Sequence, residues 1–65
     1  MKIVLNGETA EVRTPRLDAA LAELGFGGAT VATALNGAFV PSAARASTEL
    51  AEGDRLEVLA PRQGG

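Results

Sequence analysis

At 65 residues the chain has room for one domain with a small core, a size that buries only about 60% of its unfolded surface and folds with little margin. It has no cysteine and no histidine, which excludes disulfide staples, Cys/His zinc sites and thiol chemistry and leaves aliphatic packing to hold the fold. A net charge of −2, from 6 basic and 8 acidic residues, argues against a nucleic-acid or anionic-membrane surface.

The first apolar run, Ile3-Val4-Leu5, is too short for the core of a secretory signal. No stretch approaches the ~18 apolar residues of a membrane span. A cytoplasmic, soluble protein is therefore expected. The run passes directly into Asn6-Gly7, a strong hairpin signal because both residues tolerate the positive φ of a type I′ turn. Glu8 to Arg13 mixes polar and apolar residues as a half-exposed strand does, so residues 2–13 read as a hairpin.

Thr14-Pro15 then opens a helix, with Thr14 as N-cap and Pro15 at the first helical position. Asp18 lies near the positive end of its dipole. Leu17, Ala20, Leu21 and Leu24 recur at i, i+3, i+4 and i+7, one face of a helix over 15–24. Gly25 can close it in the left-handed conformation. Phe26-Gly27-Gly28 is a loop with no phosphate-cradling pattern. A third strand is predicted over 30–35. A second Asn-Gly, Asn36-Gly37, links it to a short fourth strand over 38–40, which Pro41 stops. Residues 42–53 read as irregular, with room for one short helical turn. Arg55-Leu56-Glu57-Val58-Leu59 alternates as a last strand.

This order predicts an α+β fold, a mixed sheet with one helix on one face. Ile3, Leu5, Val12, Val31, Leu35, Leu56 and Val58 would face Leu17, Leu21 and Leu24 of the helix. Val4 and Leu59 then face away, together with Ala32 and Ala34, and Phe39 joins them at an edge. An apolar outward stripe on a small protein marks a docking face, against the plainer reading of scattered exposed aliphatics. The six residues after the last strand, Ala60-Pro61-Arg62-Gln63-Gly64-Gly65, fit neither helix nor core and form a flexible tail beyond a domain of residues 1–59. Without Cβ atoms, Gly64 and Gly65 can enter a slot too narrow for other residues.

Val31-Ala32-Thr33-Ala34-Leu35-Asn36-Gly37, then Val40-Pro41, then Leu50-Ala51-Glu52-Gly53-Asp54-Arg55-Leu56-Glu57-Val58, then Gly64-Gly65, resembles the ThiS family of sulfur carriers in thiamin biosynthesis. The resemblance covers the whole chain and rests on the combination of these pieces. It implies a ubiquitin-like β-grasp in which the first and last strands lie side by side in the middle of a four- to five-stranded sheet. It also implies that a ThiF-like adenylyltransferase, using ATP, activates the carboxylate of Gly65. Sulfur from a sulfur donor protein then makes a thiocarboxylate, which a ThiG-like thiazole synthase consumes to build the thiazole of thiamin. Gly64, Gln63 and Arg62 would thread the partner's active site, although Arg62 is as simply read as a solvated side chain. The carrier would bind no cofactor, perform no catalysis of its own and be a monomer when free. After Val40-Pro41 the family often has Arg and then a bulky aromatic, where this chain has Ser42-Ala43-Ala44-Arg45.

Other readings share the β-grasp. One is a carrier for molybdopterin or another sulfur pathway, resembling MoaD. Another is a ubiquitin-like modifier joined to lysines, and a third is a non-covalent binding module. An enzyme is disfavoured, because the glutamates are scattered along the chain and nothing pairs them.

Overall fold

The computed structural model describes residues 1–60. Five strands, β1 (Lys2–Leu5), β2 (Glu8–Glu11), β3 (Ala32–Leu35), β4 (Ala38–Val40) and β5 (Arg55–Leu59), form one mixed sheet in the order β2-β1-β5-β3-β4. One helix, α1 (Leu17–Glu23), and a 3₁₀ helix, η1 (Ser42–Ser47), complete the chain order. The sheet order and the single main helix are those of a ubiquitin-like β-grasp. β5 is central, parallel to β1 and antiparallel to β3. No helix is long and apolar enough to cross a membrane among the described residues.

Both Asn-Gly pairs turn as their sequence predicts. Asn6 and Asn36 have φ of 49° and 51°, and Gly7 and Gly37 follow at 84° and 85°, the paired positive values of a type I′ turn. Each asparagine has a second task. Asn6 donates its main-chain N–H to the Leu56 carbonyl at 2.9 Å. Its carboxamide then accepts from the Val58 N–H at 2.9 Å and donates to the Val58 carbonyl at 3.2 Å. The β1 strand has ended there, so one side chain continues the ladder in place of main chain. Asn36 does the same at the start of β5, accepting from the Arg55 N–H at 2.9 Å and donating to Asp54 Oδ1 at 3.1 Å. The central strand is thereby held at both ends by turn side chains.

The core lies between the sheet and α1. Ile3, Val12, Leu17, Ala20, Leu21, Val40, Leu50, Leu56 and Val58 are buried. Burying aliphatic side chains such as Ile3, Leu17 and Leu56 stabilises the fold by roughly 1.5–3 kcal/mol each. Leu5, Leu24, Val31 and Leu35 of the expected core face are only partly buried, and Phe26 packs beside them.

The helix is shorter at its start than the sequence predicts. Arg16, not Thr14, occupies the extended N-cap position, and its side chain makes no capping bond. The reason is a competing pairing. Arg16 bridges Glu49 in antiparallel fashion, the Leu17 N–H donates to the Thr48 carbonyl at 2.9 Å, and the Leu50 N–H donates to the Pro15 carbonyl. One of the helix's free N-terminal donors is thus satisfied by a distant segment. That segment in turn carries Leu50 into the core. Thr14 is diverted as well. Its N–H and hydroxyl, at 3.3 Å each, and the Arg13 N–H, at 2.8 Å, all donate to the Glu23 carboxylate. These bonds, that from Arg13 first, hold Glu23 below its ordinary pKa despite partial desolvation. At the other end the expected cap is present. Gly25 has φ of 97°, the Phe26 N–H donates to the Leu21 carbonyl and the Gly25 N–H to that of Ala22, the paired bonds of a Schellman closure.

The 42–53 segment is more ordered than its composition indicates. From η1, Arg45 reaches back to β3. Its Nη2 donates to the Val31 carbonyl at 2.6 Å and its Nε to the Thr33 hydroxyl at 3.2 Å. Thr33, 1% exposed, is the buried polar side chain among the described residues, and it donates onward to the Val40 carbonyl at 2.7 Å. The polar atom therefore costs no unmet hydrogen bond.

Candidate functional site

The sheet has a covered face and an open one, and the open face is fixed by register. Cross-strand partners share a face. Ala32 stands opposite Leu59, Ala34 opposite Glu57 and also opposite Phe39. These are the positions that alternate with buried Thr33, Leu56 and Val58. Ala32, Ala34, Phe39 and Leu59 therefore adjoin one another on the open face, as the sequence predicts. Leu59 is 72% exposed and Phe39 70%, an unusual display for large apolar side chains. Together with Glu57 they line a shallow hollow of about 160 Å³.

Val4 is separated from this group. It faces outward, but its neighbours are Thr9 on β2 and Arg55 on β5. Because β5 lies between β1 and β3, Arg55 and Glu57 stand between Val4 and the alanines. Periodicity assigned the face correctly and could not assign the neighbour. Val4 is half-buried and lines a second hollow with Gly7, Gly37, Arg55, Leu56 and Glu57.

β5 runs past the end of β1, and its last residues lead to the tail root. Ala60 is exposed and shares a third hollow with Thr30, Val31, Ala32 and Leu59. The apolar patch thus extends to Ala60, the last described residue. Arg45 braces the start of β3, through the Val31 carbonyl just before it and the Thr33 hydroxyl within it. The tail positions Arg62, Gln63, Gly64 and Gly65 lie outside the described residues, as does all but Ala60 of the expected tail unit.

Sequence reasoning left Glu57 among the scattered carboxylates. The signal was available in the alternation of Arg55-Leu56-Glu57-Val58-Leu59, which puts Glu57 on the same face as Leu59. Arg45 and Leu50 had no such signal, since neither belongs to a periodic run.

A model of the ThiS family matches residues 3–65, nearly the whole chain and both terminal glycines. Among solved structures, the crystal structure of the thiamine biosynthesis protein (ThiS) from Geobacter metallireducens is similar to this one. The two share 28% identity with a TM-score of 0.83, and the similarity covers 100% of each chain. No curated protein matches the chain.

Proposed function

The chain belongs to the ThiS family, and from that premise we propose that it is a sulfur carrier for the thiazole of thiamin, itself without catalytic activity. The observation that carries this reading is the extent of the family match, which runs through Gly64 and Gly65. The thiamine biosynthesis protein of similar structure, aligned over its full length, supports the pathway.

In this reading Gly65 is the working residue. A carboxylate is a poor electrophile because oxide is a poor leaving group. A ThiF-like adenylyltransferase would let the Gly65 carboxylate attack the α-phosphorus of ATP, releasing pyrophosphate and leaving an acyl-adenylate. Sulfide-level sulfur supplied by a donor protein then attacks the acyl carbon and expels AMP, and the product is a thiocarboxylate. A ThiG-like thiazole synthase takes the sulfur. ATP is thus consumed by the partner and not held by this chain. The absence of a Cβ at Gly65 keeps the attack line clear, and Gly64 lets the main chain thread the channel, with Gln63 and Arg62 behind it.

The open face has a matching role. Ala32, Ala34, Phe39 and Leu59 would dock on the partner and bring the tail root with them, so that the carboxylate arrives at high effective concentration. Val4, set apart by β5, would contribute at the margin.

ATP–pyrophosphate exchange tests the assignment. With a purified ThiF-type adenylyltransferase, the native chain should drive exchange, and a chain extended by one alanine after Gly65 should not. Exchange by the extended chain would overturn the role of the Gly65 carboxylate.

A further inference from the structure

The hollow on the open face is not uniformly apolar. Its floor is the Ala34 methyl. One wall is Phe39 and the other is Glu57, each directly opposite Ala34 on its own side. With strands about 4.8 Å apart, the two wall residues stand roughly 10 Å apart at their Cα atoms. Leu59 and Ala32 extend the floor toward the tail root. Among the described residues the Glu57 carboxylate receives no hydrogen bond and closes no ion pair. Arg55, two residues back on the same face, does not reach it, and the ion pair present is Arg16–Asp18.

An occupant of this slot must match an apolar floor, an aromatic wall and an unpaired carboxylate. A purely aliphatic knob would desolvate Glu57 without replacing its water. A lysine ammonium would answer the charge but is compact and strongly hydrated. A guanidinium meets all three demands. It is planar and weakly hydrated, stacks on an aromatic face, and offers paired N–H donors to a carboxylate.

Resting on the docking role given above, we propose that the slot over Ala34 receives an arginine side chain from the adenylyltransferase, stacked against Phe39 and paired with Glu57. Leu59 and Ala32 supply the apolar contact beside it. The arginine fixes the rotational setting of the carrier, and hence the direction in which the tail leaves.

The test is the carrier's KM and kcat in ATP–pyrophosphate exchange with a purified ThiF-type adenylyltransferase, across several salt concentrations. Glu57→Gln should raise KM roughly tenfold or more, the scale of one charge-assisted hydrogen bond. The effect should fall on KM rather than kcat. It should also flatten the salt dependence expected of the native chain. Leu59→Asp serves as the control for docking itself, on an exposed residue whose change leaves the core intact. If Leu59→Asp raises KM and Glu57→Gln does not, apolar docking stands and the arginine is refuted. If neither variant changes KM, the docking role fails and the arginine with it. Two other occupants would also overturn the proposal. A Glu57-dependent dimer in sedimentation would assign the slot to a second copy. A double variant Glu57→Gln/Arg62→Gln no worse than Arg62→Gln alone would assign it to the chain's own tail.

Discussion

Replacing Asn6 by glycine should loosen the strand that carries the tail. The substitution keeps the positive φ at 49° accessible and removes the carboxamide together with the Cβ. Two hydrogen bonds are lost, from the Val58 N–H at 2.9 Å and to the Val58 carbonyl at 3.2 Å. At about 0.5–1.5 kcal/mol net per bond, the sum is about 2 kcal/mol. Relief of the left-handed conformation roughly offsets the added chain entropy of glycine. A 65-residue domain has only about 3–10 kcal/mol in total, so this is a large fraction. In a domain of this size it corresponds to a Tm lower by about 8–16 °C. Asn6→Ala should be worse by about 1–2 kcal/mol, because a Cβ is then forced into left-handed backbone. Urea unfolding gives the total, and amide exchange gives the location. The Val58 N–H should lose protection by more than the global change, whereas the Leu56 N–H should follow the global change alone. An unchanged midpoint with unchanged Val58 protection would refute the reasoning that a side chain completes the ladder.

Two further outcomes follow from the same contacts. Arg45→Met should cost about 1.5–3 kcal/mol, because the Val31 carbonyl and the Thr33 hydroxyl each lose a charged donor; thermal unfolding measures the loss, and an effect near zero would show that η1 is not braced through Arg45. Glu23 contributes stability that is present above the ordinary glutamate pKa and lost as pH falls through its lowered value, since the Arg13 N–H, then that of Thr14, favour the charged form. Glu23→Gln should flatten that acid limb in a pH series of unfolding midpoints, and an unaltered limb would contradict the assignment.

Much of this architecture is legible in the chain because local chemistry and tertiary structure agree. Asn6-Gly7 and Asn36-Gly37 turn as isolated dipeptides would. Leu17, Ala20 and Leu21 follow helical spacing into the core, and β5 alternates cleanly between buried and exposed. What was not legible depends on partners distant in sequence. Thr14-Pro15 has the chemistry of a helix start, yet pairing of residues 15–17 with residues 48–50 delays the helix and draws Leu50 inward. Arg45 lies in a stretch of small residues, and its value comes only from the Val31 carbonyl and the Thr33 hydroxyl it meets. The open face was readable residue by residue, but its division was not. Strand order alone puts Arg55 and Glu57 between Val4 and the alanines, and strand order is not contained in periodicity.

In the proposed function Gly65 carries sulfur. Intact and fragment mass spectrometry tests it most directly, after incubation of the native chain with ATP, a ThiF-type adenylyltransferase and a sulfur donor. One sulfur should replace one oxygen, confined to the fragment that contains Gly65. A chain that stays unmodified, or one that leaves as an isopeptide on lysine, would contradict it.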